Sequence, residues 1–294
     1  MTLTGLFVPL ITPFDAAGAV DLTAVETLAG QILDDGATGL VALGTTGEPS
    51  SLDDDEKRAI VDTIGRICRD RGAPLIVGAN TVAELRTLGD RAEVVAALTL
   101  VPPFIRPGEA GVLAYFTELA AASRVPLVVY HVPHRTGQAL SADALRDLAS
   151  VPGVCAMKYA PGKIDPATVA LLADPPPGLA ILGGDDALIS PLLALGAHGG
   201  ILASAHLATA QFAQLVAAWQ AGDVVTARPL GHRLALLSSA LFAEPNPTII
   251  KAVLYAEGRI ATPRVRLPLV PAATSTAEEA CRLLDRVAEA RSGS

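Results

Sequence analysis

The chain has 294 residues, of which 51% are hydrophobic and 4% aromatic, so it can bury a large core of mainly aliphatic side chains. Its formal net charge of −8 at pH 7 argues against nucleic acid as a partner, because phosphate binding requires clustered Lys and Arg. No apolar run approaches the roughly 20 residues of a transmembrane helix. The N-terminus shows no basic segment followed by a cleavage site, so we expect a cytoplasmic protein that does not bind membranes.

Eight short apolar runs recur along the first two-thirds of the chain, and each predicts a β-strand. Most of the runs are continuous rather than alternating, which is typical of strands buried on both faces of a sheet. They cover residues 6–11, 39–43, 75–78, 97–101, 127–131, 154–158, 180–182 and 200–203.

Amphipathic segments between these strands predict helices at residues 22–33, 52–71, 108–123, 142–150, 166–172 and 187–195. Asp21 is expected to cap the first of them. The alternation predicts an α/β fold, a (β/α)8 TIM barrel, with an open doubly wound sheet as the alternative. Further helices at 209–219, 224–241, 247–257 and 276–291 predict a C-terminal helical extension. We therefore expect a barrel at residues 1–206 and a helical appendage packed on it at residues 207–294.

Two of the predicted strand ends carry groups suited to binding carboxylates. The sequence GTTGE at residues 44–48 places Thr45 and Thr46 between glycines, which allows backbone N–H groups to approach an anion. An ordinary turn is the alternative. After the fifth strand, Arg135 offers a guanidinium fork that matches a second carboxylate. Tyr130 on that strand is either a proton relay or a packing residue.

The predicted sixth strand ends in Lys158. A charged lysine is costly in an apolar strand, whereas a neutral amine there is a nucleophile. The alternative is a side chain that extends along the apolar surface to the barrel rim. The remaining lysines, Lys57, Lys163 and Lys251, lie on predicted helices or loops and are interpreted as solvated or ion-paired.

The sequence GGDD at residues 183–186 follows the seventh strand. Its glycines leave space for a substrate, and Asp185 and Asp186 are interpreted as caps of the next helix. A metal site formed by these aspartates with His131 and His134 is an alternative, but the sequence does not show that the ligands converge, and we predict no metal.

These motifs, in this order, resemble the dihydrodipicolinate synthase/N-acetylneuraminate lyase family. The resemblance runs from Gly5 to about Glu257 and also includes YxVPxRTG, AHGGILAS and EPNP. It implies a class I aldolase without a cofactor, in which a lysine forms a Schiff base with pyruvate and the resulting enamine attacks an aldehyde. It also implies a homodimer or homotetramer. The resemblance implies that Lys158 forms the Schiff base and that Tyr130 and Thr46 belong to a proton relay. It implies that Thr45 and Thr46 bind the pyruvate carboxylate and that Arg135 binds the carboxylate of the second substrate. Gly184 and Ile201 are implied to contribute backbone groups to the pocket.

Arg135 favours a synthase that condenses pyruvate with aspartate semialdehyde. The synthases of this family have a tyrosine pair after the fourth strand, and Phe104 and Ile105 replace it here. This difference favours the alternative of a 2-keto-3-deoxy sugar acid aldolase or an N-acetylneuraminate lyase-like enzyme. We hypothesise that His131 or His134 supplies the missing proton step, because imidazole titrates near neutral pH. The remaining alternative is a protein that binds a 2-oxo acid without turning it over.

Overall fold

The computed structural model describes residues 2–289. Eight parallel strands form a closed barrel in chain order, which confirms the predicted TIM barrel and excludes the open sheet. Their bounds are β1 Gly5–Pro9, β2 Gly39–Ala42, β3 Leu75–Gly78, β4 Val94–Leu100, β5 Leu127–His131, β6 Val154–Tyr159, β7 Ala180–Gly183 and β8 Gly199–Ile201. The main difference from the prediction is β4, which begins three residues earlier than expected (94 against 97).

Twelve helices accompany the strands within the described residues. Those that alternate with the strands are α1 Leu22–Asp34, α2 Asp54–Arg71, α3 Val82–Thr87, α4 Gly108–Ala122, α5 Pro133–Thr136, α6 Ala142–Ala149, α7 Pro166–Ala173 and α8 Ile189–Ala194. The C-terminal helices are α9 Thr209–Gln220, α10 Val224–Leu241, α11 Thr248–Ala256 and α12 Thr274–Glu289. The predicted last helix extends to residue 291, so its final two residues lie outside the described residues.

Two short helices, α3 and α5, were not expected from the sequence. Helix α3 has six residues, too few to show a helical period of apolar side chains. It begins at a capping box, in which Thr81 Oγ1 accepts from the Glu84 N–H at 3.2 Å and the Glu84 carboxylate accepts from the Thr81 N–H at 3.0 Å. Asp21 caps α1 as predicted, accepting from the Ala24 N–H at 2.9 Å.

The apolar core has two layers, because alternate residues of each strand face opposite sides of the barrel wall. One layer fills the barrel and takes residues from all eight strands, among them Phe7, Val41, Ile76 and Ile201. The other lies between the strands and the surrounding helices and includes Met157 and Tyr159. Any side chain near the C-terminal end of a strand therefore points either into the barrel or into the helical layer.

The C-terminal helices pack on one side of the barrel, where α10 contacts α8, α9 and α12. Trp219 on α9 donates to the hydroxyl of Ser190 on α8 at 2.9 Å. The division of the chain between residues 206 and 207 stays a prediction. None of the described helices combines the length and the apolar character needed to cross a bilayer.

Candidate active site

A cavity of about 660 Å³ opens at the C-terminal end of the barrel. Its lining comes from the ends of β2, β5, β6, β7 and β8, from the last turn of α10 and from the loop that follows α10. Active sites of TIM barrels lie at this end of the strands. The cavity is lined by seven of the nine predicted site residues: Thr45, Thr46, Tyr130, His134, Arg135, Lys158 and Gly184.

Lys158 and Tyr130 occupy paired positions on neighbouring strands. Tyr130 on β5 is the register partner of Lys158 on β6. Both residues are buried, with exposed fractions of 7% for Lys158 and 8% for Tyr130. The Lys158 ammonium nitrogen lies 4.3 Å from the centre of the Tyr130 ring. The structure therefore excludes a Lys158 side chain that lies exposed on the barrel rim, and places its amine against the phenol.

Gly184 leaves the space that the Lys158 side chain occupies. A Cβ atom at position 184 would lie 2.9 Å from both Cγ and Cε of Lys158, closer than carbon atoms approach without a shift. The Gly184 N–H donates to the Tyr159 carbonyl at 2.8 Å, which fixes the chain next to β6. The glycine is thus required by the path of the lysine side chain, a role that the motif GGDD alone does not indicate.

The GTTGE loop after β2 contributes Thr45 and Thr46 to the wall of the cavity. Thr45 is exposed, whereas Thr46 is buried. The Thr46 hydroxyl oxygen accepts a hydrogen bond of 2.9 Å from Nδ2 of Asn246, which lies in the loop after α10. Because its oxygen already accepts, the Thr46 hydroxyl hydrogen is free to donate to a carboxylate in the cavity.

Arg135 and His134 lie on α5, directly after β5. Both side chains are exposed and both line the cavity. Helix α5 has four residues and is followed by Gly137, which has a φ of 72°. The guanidinium therefore lies at the open side of the cavity, while the lysine amine lies at its buried side. This arrangement suits a second substrate that carries an anionic group.

His131 and Ile201 do not line the cavity. His131 follows Tyr130 on β5 and so faces the helical layer, where its ring stacks on Tyr159 with 5.8 Å between ring centres. Its Nδ1 atom has no hydrogen-bond partner among the described residues. The Ile201 side chain is fully buried inside the barrel. Of the two histidines suggested for the proton step, the structure brings only His134 to the site.

Burial lowers the pKa of His131 from 6.5 to about 4, because the charged imidazolium loses its hydration. The unfolded chain takes up this proton near pH 6.5, whereas the folded protein does so only near pH 4. The resulting stability is complete above pH 6.5 and is lost as the pH falls towards 4. His206 is buried and shifted in the same way.

We expect His131→Asn to remove about one proton from the pH dependence of the free energy of unfolding between pH 4 and pH 6.5, a range set by the shift of the His131 pKa. The difference amounts to up to about 3 kcal/mol across that range. Urea unfolding at several pH values measures it. Equal slopes in the wild type and the variant would show that His131 is not buried as a neutral ring.

Asp185 and Asp186 do not cap the next helix, so that interpretation was wrong. The Asp185 carboxylate accepts from the Gly162 N–H at 2.6 Å, and the Asp186 carboxylate accepts from the Ser204 N–H at 2.6 Å. The two residues thus tie the loop after β7 to the loops after β6 and β8. Burial raises the pKa of Asp186 to about 6. Among the described residues, no group of three or more His, Cys, Asp and Glu side chains is placed to hold a metal ion.

The far wall of the cavity comes from α10 and the loop after it, neither of which is among the strand ends predicted to form the site. Ser238, Phe242 and Asn246 all line the cavity from this side. In the sequence, the motif EPNP is the one feature of this segment that the family resemblance includes. Within it, Glu244 binds the N-terminus of α12, because its carboxylate accepts from the Ala273 N–H at 3.0 Å.

Phe104 and Ile105 lie in the loop between β4 and α4 and do not line the cavity. Their exposed fractions are 97% and 80%. The loop contacts the motif that carries Arg135, since the Phe104 N–H donates to the Thr136 carbonyl at 3.3 Å. Within a single chain, therefore, neither apolar side chain reaches the cavity.

Residues 2–287 match the profile of the Dihydrodipicolinate synthetase family. The chain belongs to this family. Membership confirms the resemblance inferred from the motifs and makes the protein an enzyme of the pyruvate-dependent aldolase type. The match covers the barrel and nearly all of the C-terminal helices.

Similar proteins agree with this assignment. A 4-hydroxy-tetrahydrodipicolinate synthase from Moorella thermoacetica is 37% identical over 274 residues, which cover 92% of this chain and 93% of the relative. The solved structure of dihydrodipicolinate synthase from Thermotoga maritima has a TM-score of 0.92 and 28% identity, covering 98% of this chain and 99% of that one. The chloride-inhibited dihydrodipicolinate synthase from Acinetobacter baumannii, solved in complex with pyruvate, has a TM-score of 0.90 and 32% identity, covering 98% and 99%.

Proposed function

We propose that the protein is a Schiff-base lyase that condenses pyruvate with aspartate semialdehyde, the reaction of a 4-hydroxy-tetrahydrodipicolinate synthase. The observation that carries the proposal is the buried Lys158 amine, 4.3 Å from the centre of the Tyr130 ring, in a cavity that Arg135 also lines. The similar proteins from Moorella thermoacetica and Thermotoga maritima bear synthase names, which supports the same reaction. The reaction requires no metal and no cofactor beyond the covalent adduct.

The proposed chemistry begins with attack of the neutral Lys158 amine on the keto carbon of pyruvate. Loss of water gives a protonated imine, which acts as an electron sink. A proton then leaves the pyruvate methyl group, and the resulting enamine carbon forms a bond to the aldehyde carbon. The aldehyde oxygen takes up a proton, and hydrolysis or ring closure by the substrate's amine releases the lysine.

The surrounding groups suit these steps. The Thr46 hydroxyl, whose oxygen accepts from Asn246, can donate to the pyruvate carboxylate. The Tyr130 hydroxyl is the group next to Lys158 that can pass protons between the imine and the cavity. His134 at the open side remains the candidate for the proton step that the tyrosine pair performs elsewhere in the family.

Borohydride trapping with pyruvate tests the proposed mechanism. Borohydride reduces an imine to a stable secondary amine, so peptide mass spectrometry should find a reduced pyruvyl adduct on Lys158. An assay with aspartate semialdehyde should then yield the cyclic product. A folded protein without an adduct on Lys158 would favour a protein that only binds a 2-oxo acid.

Arg135 is expected to bind the carboxylate of the second substrate. Arg135→Ala should raise the KM for aspartate semialdehyde roughly 100-fold, equivalent to about 3 kcal/mol for two charge-assisted hydrogen bonds. The KM for pyruvate should not change. Arg135→Lys is the control, because it keeps the charge but loses the fork and should recover only part of the affinity. A variant that weakens pyruvate binding instead would reassign Arg135 to the first substrate.

A sugar-acid aldolase is the second candidate, because Ile105 carries no hydroxyl. The two candidates differ in the aldehyde, so turnover of 2-keto-3-deoxy sugar acids without turnover of aspartate semialdehyde would select the aldolase. We also expect the protein to be a homodimer or homotetramer and to lie in the cytoplasm. Light scattering of the purified protein would measure its molar mass and so test the oligomeric state.

A further inference from the structure

We infer that Lys251 is a positioning residue for the carboxylate-binding loop at residues 44–48, through a buried ion pair with Glu48. The inference rests on the function proposed above, because that loop would hold the carboxylate of the 2-oxo acid. Lys251 lies on α11, outside the cavity, and does not contact the reacting atoms. Its effect on catalysis would pass through the geometry of the loop.

The loop needs external support because its backbone is strained on both sides. Leu43 precedes it with a φ of 53°, and Glu48 ends it with a φ of 54°. Residues with a Cβ atom avoid this left-handed region unless neighbouring contacts hold them there. The strained residues enclose the two threonines that face the cavity.

Glu48 supplies such contacts through both of its carboxylate oxygens. Oε1 accepts from Lys251 Nζ at 2.5 Å, and Oε2 accepts from the Arg266 N–H at 2.9 Å. The Glu48 side chain is 2% exposed and the Lys251 side chain is fully buried. The ion pair therefore holds the end of the loop in surroundings that solvent does not reach.

Lys251 is fixed by more than the carboxylate. Its Nζ atom also donates to the Arg264 carbonyl at 2.8 Å and lies 4.1 Å from the centre of the Phe14 ring. Burial lowers the pKa of Lys251 to about 8, although Glu48 acts in the opposite direction. The Glu48 carboxylate at 2.5 Å favours the charged ammonium and so opposes the effect of burial.

The segment that carries Lys251 holds the loop at a second point. Asn246 lies five residues before Lys251 (246 against 251) and donates to Thr46 Oγ1 at 2.9 Å. Residues 246 and 251 thus bind residues 46 and 48, respectively. A shift of this segment would move the Thr46 hydroxyl directly, which connects the ion pair to the geometry of the site.

An ion pair that serves only stability would behave differently. A buried pair can often be replaced by uncharged groups of similar volume without loss of stability, provided that both partners change together. A double variant, Glu48→Gln with Lys251→Met, removes both charges while keeping an oxygen that can accept from Arg266. If the pair positions the loop, this variant folds but binds pyruvate weakly.

The experiment measures the pyruvate concentration that gives half-maximal borohydride trapping on Lys158, together with the KM for the aldehyde. We expect the double variant to need about 10- to 100-fold more pyruvate, because small displacements of a binding group cost up to about 100-fold. The KM for the aldehyde should stay unchanged, since Arg135 lies on α5 and not on the loop at residues 44–48. General destabilisation would affect both substrates.

Leu254→Ala is the matched control. Leu254 lies on α11 and is fully buried in the helical layer. It takes part in none of the side-chain hydrogen bonds that the structure gives for Glu48 and Lys251. The control should lower the free energy of unfolding and leave pyruvate binding unchanged. The milder variant Glu48→Gln keeps the accepting oxygen and should raise the required pyruvate concentration about 10-fold, even if the double variant does not fold.

The outcomes separate this inference from the proposed function. In one outcome, the wild-type protein forms the adduct on Lys158, while Glu48→Gln and the folded double variant need no more pyruvate than the wild type. That result would overturn the positioning role of Lys251 alone. Equal weakening of pyruvate binding in Leu254→Ala would also overturn it, since loss of helix stability would then suffice. A wild-type protein that forms no adduct would overturn both proposals.

Discussion

Lys158→Met should abolish product formation, with a fall in rate of more than about 10⁴-fold, because the covalent nucleophile is lost. The variant should also give no adduct with pyruvate and borohydride. Methionine has a similar length and avoids burying a charge, so we expect the free energy of unfolding to be kept or raised. Steady-state kinetics, trapping and urea unfolding on the same preparation measure these three effects.

Lys163→Met provides the chemically matched control for this substitution. Lys163 follows the same strand on an exposed loop, where it pairs with Asp165 at 3.0 Å and its side chain is 70% exposed. Exposed pairs contribute little to stability, so both rate and adduct should equal those of the wild type. Residual turnover of Lys158→Met above a hundredth of the wild-type rate would mean that the reaction does not pass through this amine.

The barrel and most of its strand ends were predictable because their signals are local. Each buried strand appears as an apolar run of a few residues. Lys158 ends one such run, and Tyr130 is the last residue but one of another. Parallel pairing then brings them side by side without further information, since strands that are neighbours in sequence are neighbours in the barrel. Their roles are implied by the family resemblance and stay predictions.

The position of His131 follows from a local rule of β-strands. Successive side chains of a strand point to opposite faces. Once Tyr130 faces the cavity, His131 must face the helices, where it stacks on Tyr159. Strand alternation therefore indicates from the sequence alone that His131 points away from the cavity, which leaves His134 as the candidate for the proton step.

Other features depend on contacts between residues that are far apart in the chain. Asn246 meets Thr46 across 200 residues, and Lys251 meets Glu48 across 203. No local pattern distinguishes a buried, paired lysine on an amphipathic helix from a solvated one. The bonds of Asp185 and Asp186 to neighbouring loops, in place of helix caps, depend in the same way on how three strand ends converge.

Tyr130→Phe should lower kcat by about 10²- to 10⁴-fold, the usual contribution of a group that transfers a proton in the transition state. Phenylalanine keeps the ring that lies 4.3 Å from the Lys158 amine, so the packing and position of the lysine should not change. Trapping with pyruvate should therefore still label Lys158, although more slowly. Because the hydroxyl alone is removed, a lower kcat with an intact adduct would separate proton transfer from lysine positioning.

His134→Gln is the appropriate comparison for this variant, because His134 lines the same cavity from its exposed side. If Tyr130 passes its proton directly to solvent or to the aldehyde oxygen, the His134 variant should keep at least about a tenth of the wild-type kcat. If the imidazole replaces the hydroxyl that Ile105 lacks, the His134 variant should lose about as much rate as Tyr130→Phe. The double variant should then lose little more than either single variant, since the two groups would act in one relay and their effects would not add.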